Sequence, residues 1–266
     1  MNNFAARTIF AAVLLAGVAG AHGQVLSPIA FTFDTSAGEA IDQLGLPTDG
    51  NAIGTLGDSG DYIALQKDDP SAGLPDDGTI VSASNTATKI ATFQLEPLPQ
   101  PDVLLGSGTL ILTTPASYSN LAFLINSISP PHAGAYAYFT LNFSDGSSDT
   151  LSTGENVPNW LGGEPGASGG SVAFSTEAAY NPDPNQGLVT DPLTNFDEYD
   201  FTLSADDTAK TLVSISINAN SGELLTYAIS GTDPPLDLPE PSTWGLLATA
   251  LGGSCLVRRL RPAVCS

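Results

Sequence analysis

Apolar and polar residues alternate along residues 135–143, and this pattern limits what the central part of the chain can fold into. Every odd position of the stretch is apolar, whereas the even positions carry Tyr136, Tyr138, Thr140 and Asn142. Successive side chains of a β-strand point to opposite faces, so a period of two with one apolar face is typical of a half-buried strand. The stretch therefore predicts a strand that packs one face against a core.

Similar patterns recur through the body of the chain, and no helical periodicity of useful length interrupts them. Val213–Ile217 and Leu225–Ile229 both alternate, and Asn220-Ser221-Gly222 between them predicts a turn that joins neighbouring strands. Ser144-Asp145-Gly146-Ser147 predicts another tight turn, because Asp-Gly suits the positive φ angles of short hairpins. Further strands are predicted at Ile29–Phe33, Asp61–Leu65, Ile90–Leu95, Thr109–Leu112, Leu121–Asn126, Ser171–Ser175 and Tyr199–Leu203.

Short strands joined by connections rich in Gly, Pro and Asp, without crossover helices, predict an all-β fold. We expect one antiparallel β-sandwich with a jelly-roll-like topology over residues 24–232. Residues 35–60 and 154–192 are predicted to be long loops, the second with a short strand inside it. Loops of this length are usually functional or mobile.

The C-terminal tail has three parts that a β-sandwich does not need in order to fold. Pro239-Glu240-Pro241 precedes an apolar run over residues 244–257, and Arg258, Arg259 and Arg261 follow at once. A helix over this run would be about 21 Å long, shorter than the roughly 30 Å hydrocarbon core of a bilayer. Arginines stay on the cytoplasmic side, which would leave the body outside. The tail therefore predicts a short transmembrane helix with a basic stop.

This tail resembles the PEP-CTERM sorting signal of Gram-negative bacteria. The resemblance covers residues 239–262 and implies that an exosortase-type enzyme, a transpeptidase-like protein of the inner membrane, recognises the tail and cuts it near the Pro-Glu-Pro. It implies export through the inner membrane, transient anchoring, and then the cell surface or the exterior. The candidate sorting and processing residues are Pro239, Glu240, Pro241, Arg258, Arg259 and Arg261.

The N-terminal segment has the features of a secretory signal peptide. Arg7 precedes an apolar stretch over Ile9–Ala19, and small residues follow. A basic start, a short apolar centre and a small-residue cleavage site define such peptides. Cleavage after Ala21 and cleavage after Gly23 both satisfy the small-residue rule, and we prefer cleavage after Gly23. We therefore expect residues 1–23 to be removed.

The chain thus divides into a signal peptide (1–23), a β-sandwich domain (24–232), a proline-rich spacer (233–238) and the sorting signal (239–262). Both cysteines, Cys255 and Cys265, follow the Pro-Glu-Pro, so the body can contain no disulfide. A domain of this length buries enough apolar surface to fold without one.

The exported body is strongly acidic. Its basic residues are Lys67, Lys89 and Lys210, whereas all 28 acidic residues of the chain lie between Asp34 and Glu240. Nucleic-acid binding depends on neutralising phosphates, so this charge excludes a nucleic-acid partner. The same charge disfavours docking on anionic lipid and favours solubility outside the cell.

Residues suited to nucleophilic catalysis are scarce. His132 is the one histidine certain to stay in the body, because His22 lies at or before the cleavage site, and no Gly-x-Ser-x-Gly elbow occurs. Composition leaves two-carboxylate glycoside hydrolysis open, because acids abound and their separation in space decides the matter. We expect a non-catalytic protein, with a secreted carbohydrate-active enzyme of that kind as the alternative.

Aspartates cluster with glycines over residues 58–77, and their oxygens are the hard ligands that calcium prefers. The pattern fits neither an EF-hand loop nor a glycine-rich nonapeptide repeat. The competing interpretation is solvated turn aspartates that bond to nearby backbone. We expect no obligatory cofactor; the candidate calcium ligands are Asp58, Asp61, Asp68, Asp69, Asp76 and Asp77.

A second resemblance concerns the body. Residues 108–110, 115–118, 121–124 and 143–147, and the later segment 199–231, are similar to the strands and the Asp-Gly-Ser hairpin of galactose-binding-like modules in secreted bacterial proteins. The resemblance implies an architecture more than a ligand. Taken with the tail, it predicts a cell-envelope or surface protein with a structural or adhesive role in or near extracellular polysaccharide, with weak glycan binding.

Overall fold

The computed structural model describes residues 24–34, 41–42, 52–54, 62–64, 73–86, 89–95, 103–127, 136–154, 157–158, 170–180, 188–219 and 224–234. For residues 41–42, 52–54, 62–64, 105, 177–180 and 188–194 only the backbone is described. The predicted signal peptide, the apolar helix at 244–257 and the sorting signal therefore lie outside the described residues.

These ranges form an all-β structure with a single short helix, which confirms the predicted class. The elements are β1 (Gln24–Pro28), β2 (Phe31–Phe33), β3 (Ile41–Asp42), β4 (Ala52–Gly54), β5 (Tyr62–Ala64), β6 (Thr79–Val81), β7 (Lys89–Gln94), β8 (Val103–Leu105), β9 (Gly108–Ala116), β10 (Asn120–Ser127), β11 (Ala137–Phe143), β12 (Ser148–Ser152), β13 (Ser171–Tyr180), β14 (Leu188–Thr202), α1 (Ala205–Thr208), β15 (Leu212–Ala219) and β16 (Leu224–Thr232).

The strands form two sheets that pack into a sandwich or barrel-like shape. The larger sheet has the order β4-β5-β13-β14-β10-β16-β1-β7-β6, with β8 beside β16 and β3 beside β8. The smaller sheet has the order β12-β11-β15-β9-β2. The larger sheet contributes to two separate apolar cores, one on each face.

Strand β10 shows how the sequence produces two cores. All of its residues are buried, and its apolar run fits a strand that is covered on both faces. Leu121, Phe123 and Ile125 face the smaller sheet, where the Phe123 and Phe139 rings stack with centroids 4.0 Å apart. Ala122 and Leu124 face the opposite core, which the curled edge of the larger sheet encloses.

That edge curls back until it reaches β13. The backbone N–H of Ala83, just after β6, donates to the Ala173 carbonyl at 2.6 Å. Strands β1 and β7 pair in parallel, with Gln24 opposite Lys89, so the predicted wholly antiparallel arrangement is wrong at this pair. A parallel pair needs a long connection rather than a hairpin, and the chain between β1 and β7 supplies one.

The predicted pairing of the two late strands is also wrong. β15 pairs with β11 and β9 in the smaller sheet, whereas β16 pairs with β10, β1 and β8 in the larger one. The connection at Asn220-Ser221-Gly222 lies outside the described residues, but the strands that it joins belong to different sheets. Alternation identifies a strand and its apolar face, and it does not identify the neighbouring strand.

The turn at residues 144–147 is present, with a different geometry from the one predicted. Gly146 has a φ of 83°, and Asp145 is not among the residues with positive φ. The Gly146 N–H donates to the Phe143 carbonyl at 3.0 Å, and the Phe143 N–H donates to the Ser147 carbonyl at 3.0 Å. This is the pattern of a three-residue hairpin in which glycine alone takes the left-handed position.

The predicted loops are shorter than expected where the structure describes them. β13 and the start of β14 lie within residues 154–192, and β3 and β4 lie within residues 35–60. The paired register of β13 with β14 breaks at two bulges, between Val172 and Phe174 and between Thr176 and Ala178. These breaks disturb the alternation from which longer strands would have been predicted.

Candidate functional site

The six sorting residues, from Pro239 to Arg261, lie outside the described residues. The structure does describe where their segment leaves the body. The described chain ends at Pro234, two residues after β16.

The two ends of the body lie side by side. β1 and β16 run antiparallel, with Ser27 opposite Gly231, and the Thr232 hydroxyl donates to the Val25 carbonyl at 3.0 Å. The chain therefore enters β1 and leaves β16 at the same end of the larger sheet. A Cβ added at Gly231 would come within 2.6 Å of the Tyr118 ring, so close packing fixes the exit strand in place.

Of the candidate calcium ligands, Asp58, Asp61, Asp68 and Asp69 lie outside the described residues. Asp76 and Asp77 are exposed in the turn before β6. The Asp77 carboxylate accepts from the Thr79 N–H at 2.8 Å, which is the local backbone bond expected of a turn aspartate. Within the described ranges no three acidic, histidine or cysteine side chains are grouped to hold a metal ion.

The described part of the larger sheet contains a buried charged group that we call the Lys89 cluster: Ser82, Ser84, Lys89, Glu198 and Asp200. It joins β7 and the segment after β6 to β14 on the opposite side of the curled sheet. Lys89 Nζ lies 2.6 Å from Glu198 Oε1 and also binds Asp200 Oδ2. The Ser82 and Ser84 hydroxyls both donate to Glu198 Oε2, Ser84 at 2.7 Å.

Glu198 is held as a buried carboxylate. Its side chain is fully buried, with 0% exposure. Burial alone would raise the pKa of Glu198, but hydrogen bonds from Lys89, Ser82 and Ser84 outweigh burial and leave that pKa below its usual value. Burial likewise opposes the charge of Lys89, and its bonds to Asp200 and Glu198 raise the Lys89 pKa overall.

Asp200 shares the same ammonium from a more open position. Burial raises the pKa of Asp200 to about 6; the Lys89 ammonium opposes this shift, and the charge of Glu198 adds to it. The Asp200 side chain is 44% exposed, so solvent screens it and the buried pair with Glu198 dominates the energetics.

A small cleft opens beside this cluster. Its volume is ≈ 60 Å³, and Gln24, Lys89, Asp200 and Phe201 are among the residues that line it. Ligand pockets usually measure about 300–1,000 Å³, so this cleft has room for water rather than for a sugar ring. The ammonium also occupies the space between Glu198 and Asp200, where a two-carboxylate hydrolase needs its substrate. The Lys89 cluster therefore acts chemically as an ion-paired link between strands.

The other face of β14 carries a second buried acid. Asp197 is 2% exposed, and the Asn126 amide donates to its carboxylate at 3.4 Å, a long hydrogen bond. Burial raises the pKa of Asp197 to about 7. Among the described residues, three buried side-chain oxygens have no hydrogen-bond partner: Asn126 Oδ1, Thr226 Oγ1 and Glu198 Oε1. Glu198 Oε1 is compensated by the Lys89 ammonium at 2.6 Å, whereas burying Asn126 Oδ1 and Thr226 Oγ1 without a partner costs folding free energy.

The outward face of the smaller sheet carries mainly hydroxyl and amide side chains, and Asp34, directly after β2, adds a carboxylate beside Thr109 at one edge. Pairing across its strands aligns Tyr138 with Ser152 and Asn218, and Ser214 with Ile111. Asp149 of β12 pairs with the inward-facing Leu141 and so belongs to the other side. We call this surface the hydroxyl face; it comprises Thr32, Thr109, Ile111, Tyr138, Thr140, Asn142, Ser148, Thr150, Ser152, Ser214, Ser216 and Asn218.

Sequence reasoning did not identify the Lys89 cluster or the hydroxyl face. The sequence contains part of the evidence for the Lys89 cluster, because Glu198 and Asp200 occupy alternate positions of one strand and Lys89 is one of three basic residues of the body. For the hydroxyl face, the polar positions of β11 and β15 were visible in the alternation. That they form one surface follows only from the pairing of β11 with β15.

Comparison of the chain with protein families, with curated proteins and with solved structures finds no match. The single helix of the described ranges, α1, does not have the length and apolar character needed to cross a bilayer.

Proposed function

We propose that this chain is an exported cell-envelope or surface protein that an exosortase-type system sorts through its C-terminal tail. Its body has a non-catalytic structural or adhesive role in or near extracellular polysaccharide. The signal peptide at 1–23, the anchor at 244–257 and the jelly-roll-like topology of the body are parts of this proposal. The observation that carries it is the position of the two ends of the body.

A protein with an N-terminal signal peptide and a C-terminal anchor has both ends at one membrane before processing. If the two ends lay on opposite sides of the body, one of the linkers would have to cross the width of the body to reach the membrane. Here Val25 and Thr232 are hydrogen-bonded neighbours, so both segments leave from one end of the sheet. The eleven residues from Asp233 to Thr243 reach about 36 Å when extended, enough to hold the body clear of the bilayer.

The strand connections support the jelly-roll-like part of the proposal. Consecutive strands β9, β10 and β11 alternate between the two sheets, and so do β14, β15 and β16. Such alternation is typical of double-sheet β-proteins in which the strands wrap around a common core.

The non-catalytic part of the proposal is supported by how the buried charges are used. Glu198 is committed to Lys89, Ser82 and Ser84, and no room for a substrate remains between it and Asp200. The Lys89 cluster therefore serves cohesion of the body.

The experiment that tests the sorting proposal replaces Pro239, Glu240 and Pro241 together with alanine in the native host. Proline on both sides of Glu240 keeps the segment extended and open to a membrane enzyme, and alanine permits helix there. The expected result is a full-length, membrane-bound form in place of the processed one. The matched control replaces Pro235, Leu236 and Asp237 with alanine, which changes the same spacer outside the motif and should leave processing intact. Processing of the first variant at the original rate and size would contradict the proposal.

A further inference from the structure

We propose that the side chains of Lys89 and Asp200 join in an amide bond once the chain has folded, with Glu198 relaying the protons. The product is an internal covalent cross-link between β7 and β14. It forms once in each chain, so the body still turns over no substrate. The inference goes beyond the proposed function and rests only on three features of the Lys89 cluster: the contacts of Lys89, the position of Glu198 and the local exclusion of water.

The amine and the acid are already in contact. Lys89 Nζ binds Asp200 Oδ2 across the two walls of the curled larger sheet. The two residues are 111 positions apart in the chain, so only folding brings them together. Well-oriented groups within one molecule reach effective molarities of about 10⁵–10⁸ M, which accelerates their reaction. The fixed contact also favours the amide, because no entropy of association remains to be lost.

Glu198 is placed to move the protons. Its Oε1 lies 2.6 Å from Lys89 Nζ and has no hydrogen-bond partner among the described residues. Its Oε2 accepts from the hydroxyls of Ser82 and Ser84, which fix the carboxylate and leave Oε1 for Nζ. An amine attacks only after it has lost a proton, and a carboxylate within hydrogen-bond reach of the ammonium can remove that proton.

The reaction balances without a co-reactant. Lys89 Nζ passes one proton to Glu198 Oε1, and the freed electron pair forms a bond to the carboxyl carbon of Asp200. The nitrogen then loses a second proton while the bond from that carbon to one Asp200 oxygen breaks. This oxygen leaves with both protons as water. An ammonium and a carboxylate thus become one amide and one water molecule, and Glu198 ends as the carboxylate that it was at the start.

Asp200 rather than Glu198 is the acid that reacts, because a protonated carboxyl is a better electrophile than a carboxylate. Burial raises the pKa of Asp200 to about 6 against the effect of the Lys89 ammonium, so a large share of Asp200 is protonated at mildly acidic pH. Burial also opposes the charge of Glu198, but hydrogen bonds from Lys89, Ser82 and Ser84 keep its pKa below the usual value. Glu198 therefore remains the base.

The surroundings shield the reacting groups and give the released water a way out. Glu198 is fully buried and the Lys89 side chain is 19% exposed. The cleft of ≈ 60 Å³ beside Lys89 and Asp200 has room for the water that leaves. Lys210, the second lysine that the structure describes, lacks this arrangement. It pairs with Asp207 three positions away, and hydrogen bonds from Ser204 and Lys210 keep the pKa of Asp207 low.

The test is tryptic digestion of the full-length chain, which is first incubated folded at pH 6 in mild detergent and then denatured in urea. Trypsin cuts after lysine and arginine, so an unlinked chain gives residues 68–89 and 90–210 as separate products. Trypsin does not cut after an acylated Lys89. The cross-linked chain should therefore give one product over residues 68–210, lighter by one water molecule than that sequence without the bond.

Three variants locate the bond and the base. Asp200→Ala removes the acid, and Glu198→Gln keeps the shape of the base without its charge; both should release residues 68–89 and 90–210 separately. The matched control, Lys210→Met, leaves the Lys89 cluster intact. It should give a product over residues 68–258 that is lighter by one water molecule. Circular dichroism confirms that each variant is folded before the digestion.

Complete cleavage after Lys89 in the original chain would overturn the inference and leave the Lys89 cluster as an ion pair only. Loss of water that persists in Asp200→Ala would place the bond at another carboxyl, and an equal yield of cross-link in Glu198→Gln would exclude the proton relay. Chain that has not reacted keeps the ion pair, so the digest also identifies which form a stability measurement reports. The tail lies outside residues 68–210, so a sorted but unlinked chain would reject this inference alone.

Discussion

Replacing Lys89 with methionine removes the single cation from the Lys89 cluster and tests how the larger sheet is held closed. Methionine keeps much of the apolar stem and leaves Glu198 with 0% exposure and no charge partner. The folded variant then has to protonate this carboxyl. For a side chain with an ordinary pKa near 4.3, protonation at pH 7 costs about 3.7 kcal/mol, similar to the roughly 3–5 kcal/mol for breaking a buried ion pair.

The pH dependence of this loss has a defined sign. In the original chain the pKa of Glu198 lies below its usual value, so its stabilising contribution is present above about pH 4 and is lost as the pH falls. In Lys89→Met the pKa of Glu198 should rise above the unfolded value, so the variant loses stability as the pH rises from about 4 to 7. The deficit should therefore be largest at pH 7 and small at pH 4.5.

Urea and thermal denaturation, each followed by circular dichroism, measure the free energy of unfolding and the melting temperature at both pH values. At pH 7 the melting temperature should fall by roughly 7–15 °C, given about 2–4 °C per kcal/mol for a domain of this size. Adding Glu198→Gln should recover most of the loss, because a neutral amide oxygen can still accept from Ser82 and Ser84. The control is Lys210→Met, which removes a cation that is 28% exposed from Asp207; the Asp207 carboxylate keeps its hydrogen bond from Ser204, so the effect should be smaller. An equally small, pH-independent effect of Lys89→Met would refute the buried ion pair.

Three further predictions concern the body. Burial raises the pKa of Asp197 to about 7, so the folded chain keeps a proton there and its free energy of unfolding falls as the pH rises from about 4 to 7. In urea denaturation, Asp197→Asn should be more stable than the original chain at pH 8, by up to about 4 kcal/mol, and equal to it at pH 4. Residues 24–234 alone should give a strand-rich circular dichroism spectrum and one cooperative melt, and a helical or molten spectrum would contradict the assigned boundary. If the aspartates of residues 58–77 bind calcium, a hundredfold excess over Kd should add roughly 2.7 kcal/mol of stability, and a melting temperature that does not move with calcium after chelation would remove that hypothesis.

Local patterns in the sequence were sufficient to predict the fold class. The alternation in Ala137–Phe143 and Leu212–Ala219 depends on neighbours along the chain, and both segments are strands. The same patterns could not predict strand partners. β15 and β16 follow each other closely in sequence and lie in different sheets, because partner choice depends on contacts between distant residues.

The Lys89 cluster shows the same limit for the candidate site. Ser82 and Glu198 are 116 positions apart and meet because the larger sheet curls back on itself. No local signal encodes that curl. The tail differs, because Pro239-Glu240-Pro241 and the arginines form a contiguous pattern that can be recognised in the sequence. The side-by-side position of Val25 and Thr232 depends on strand pairing and is known only from the structure.

The most direct test of the sorting proposal is the intact mass of the protein recovered from the native envelope and medium. The proposal predicts a chain that begins after Ala21 or Gly23, ends near Glu240 and lacks the apolar run at 244–257. A mature form that still carries Met1 and extends to Ser266 would contradict both export processing and sorting through the tail.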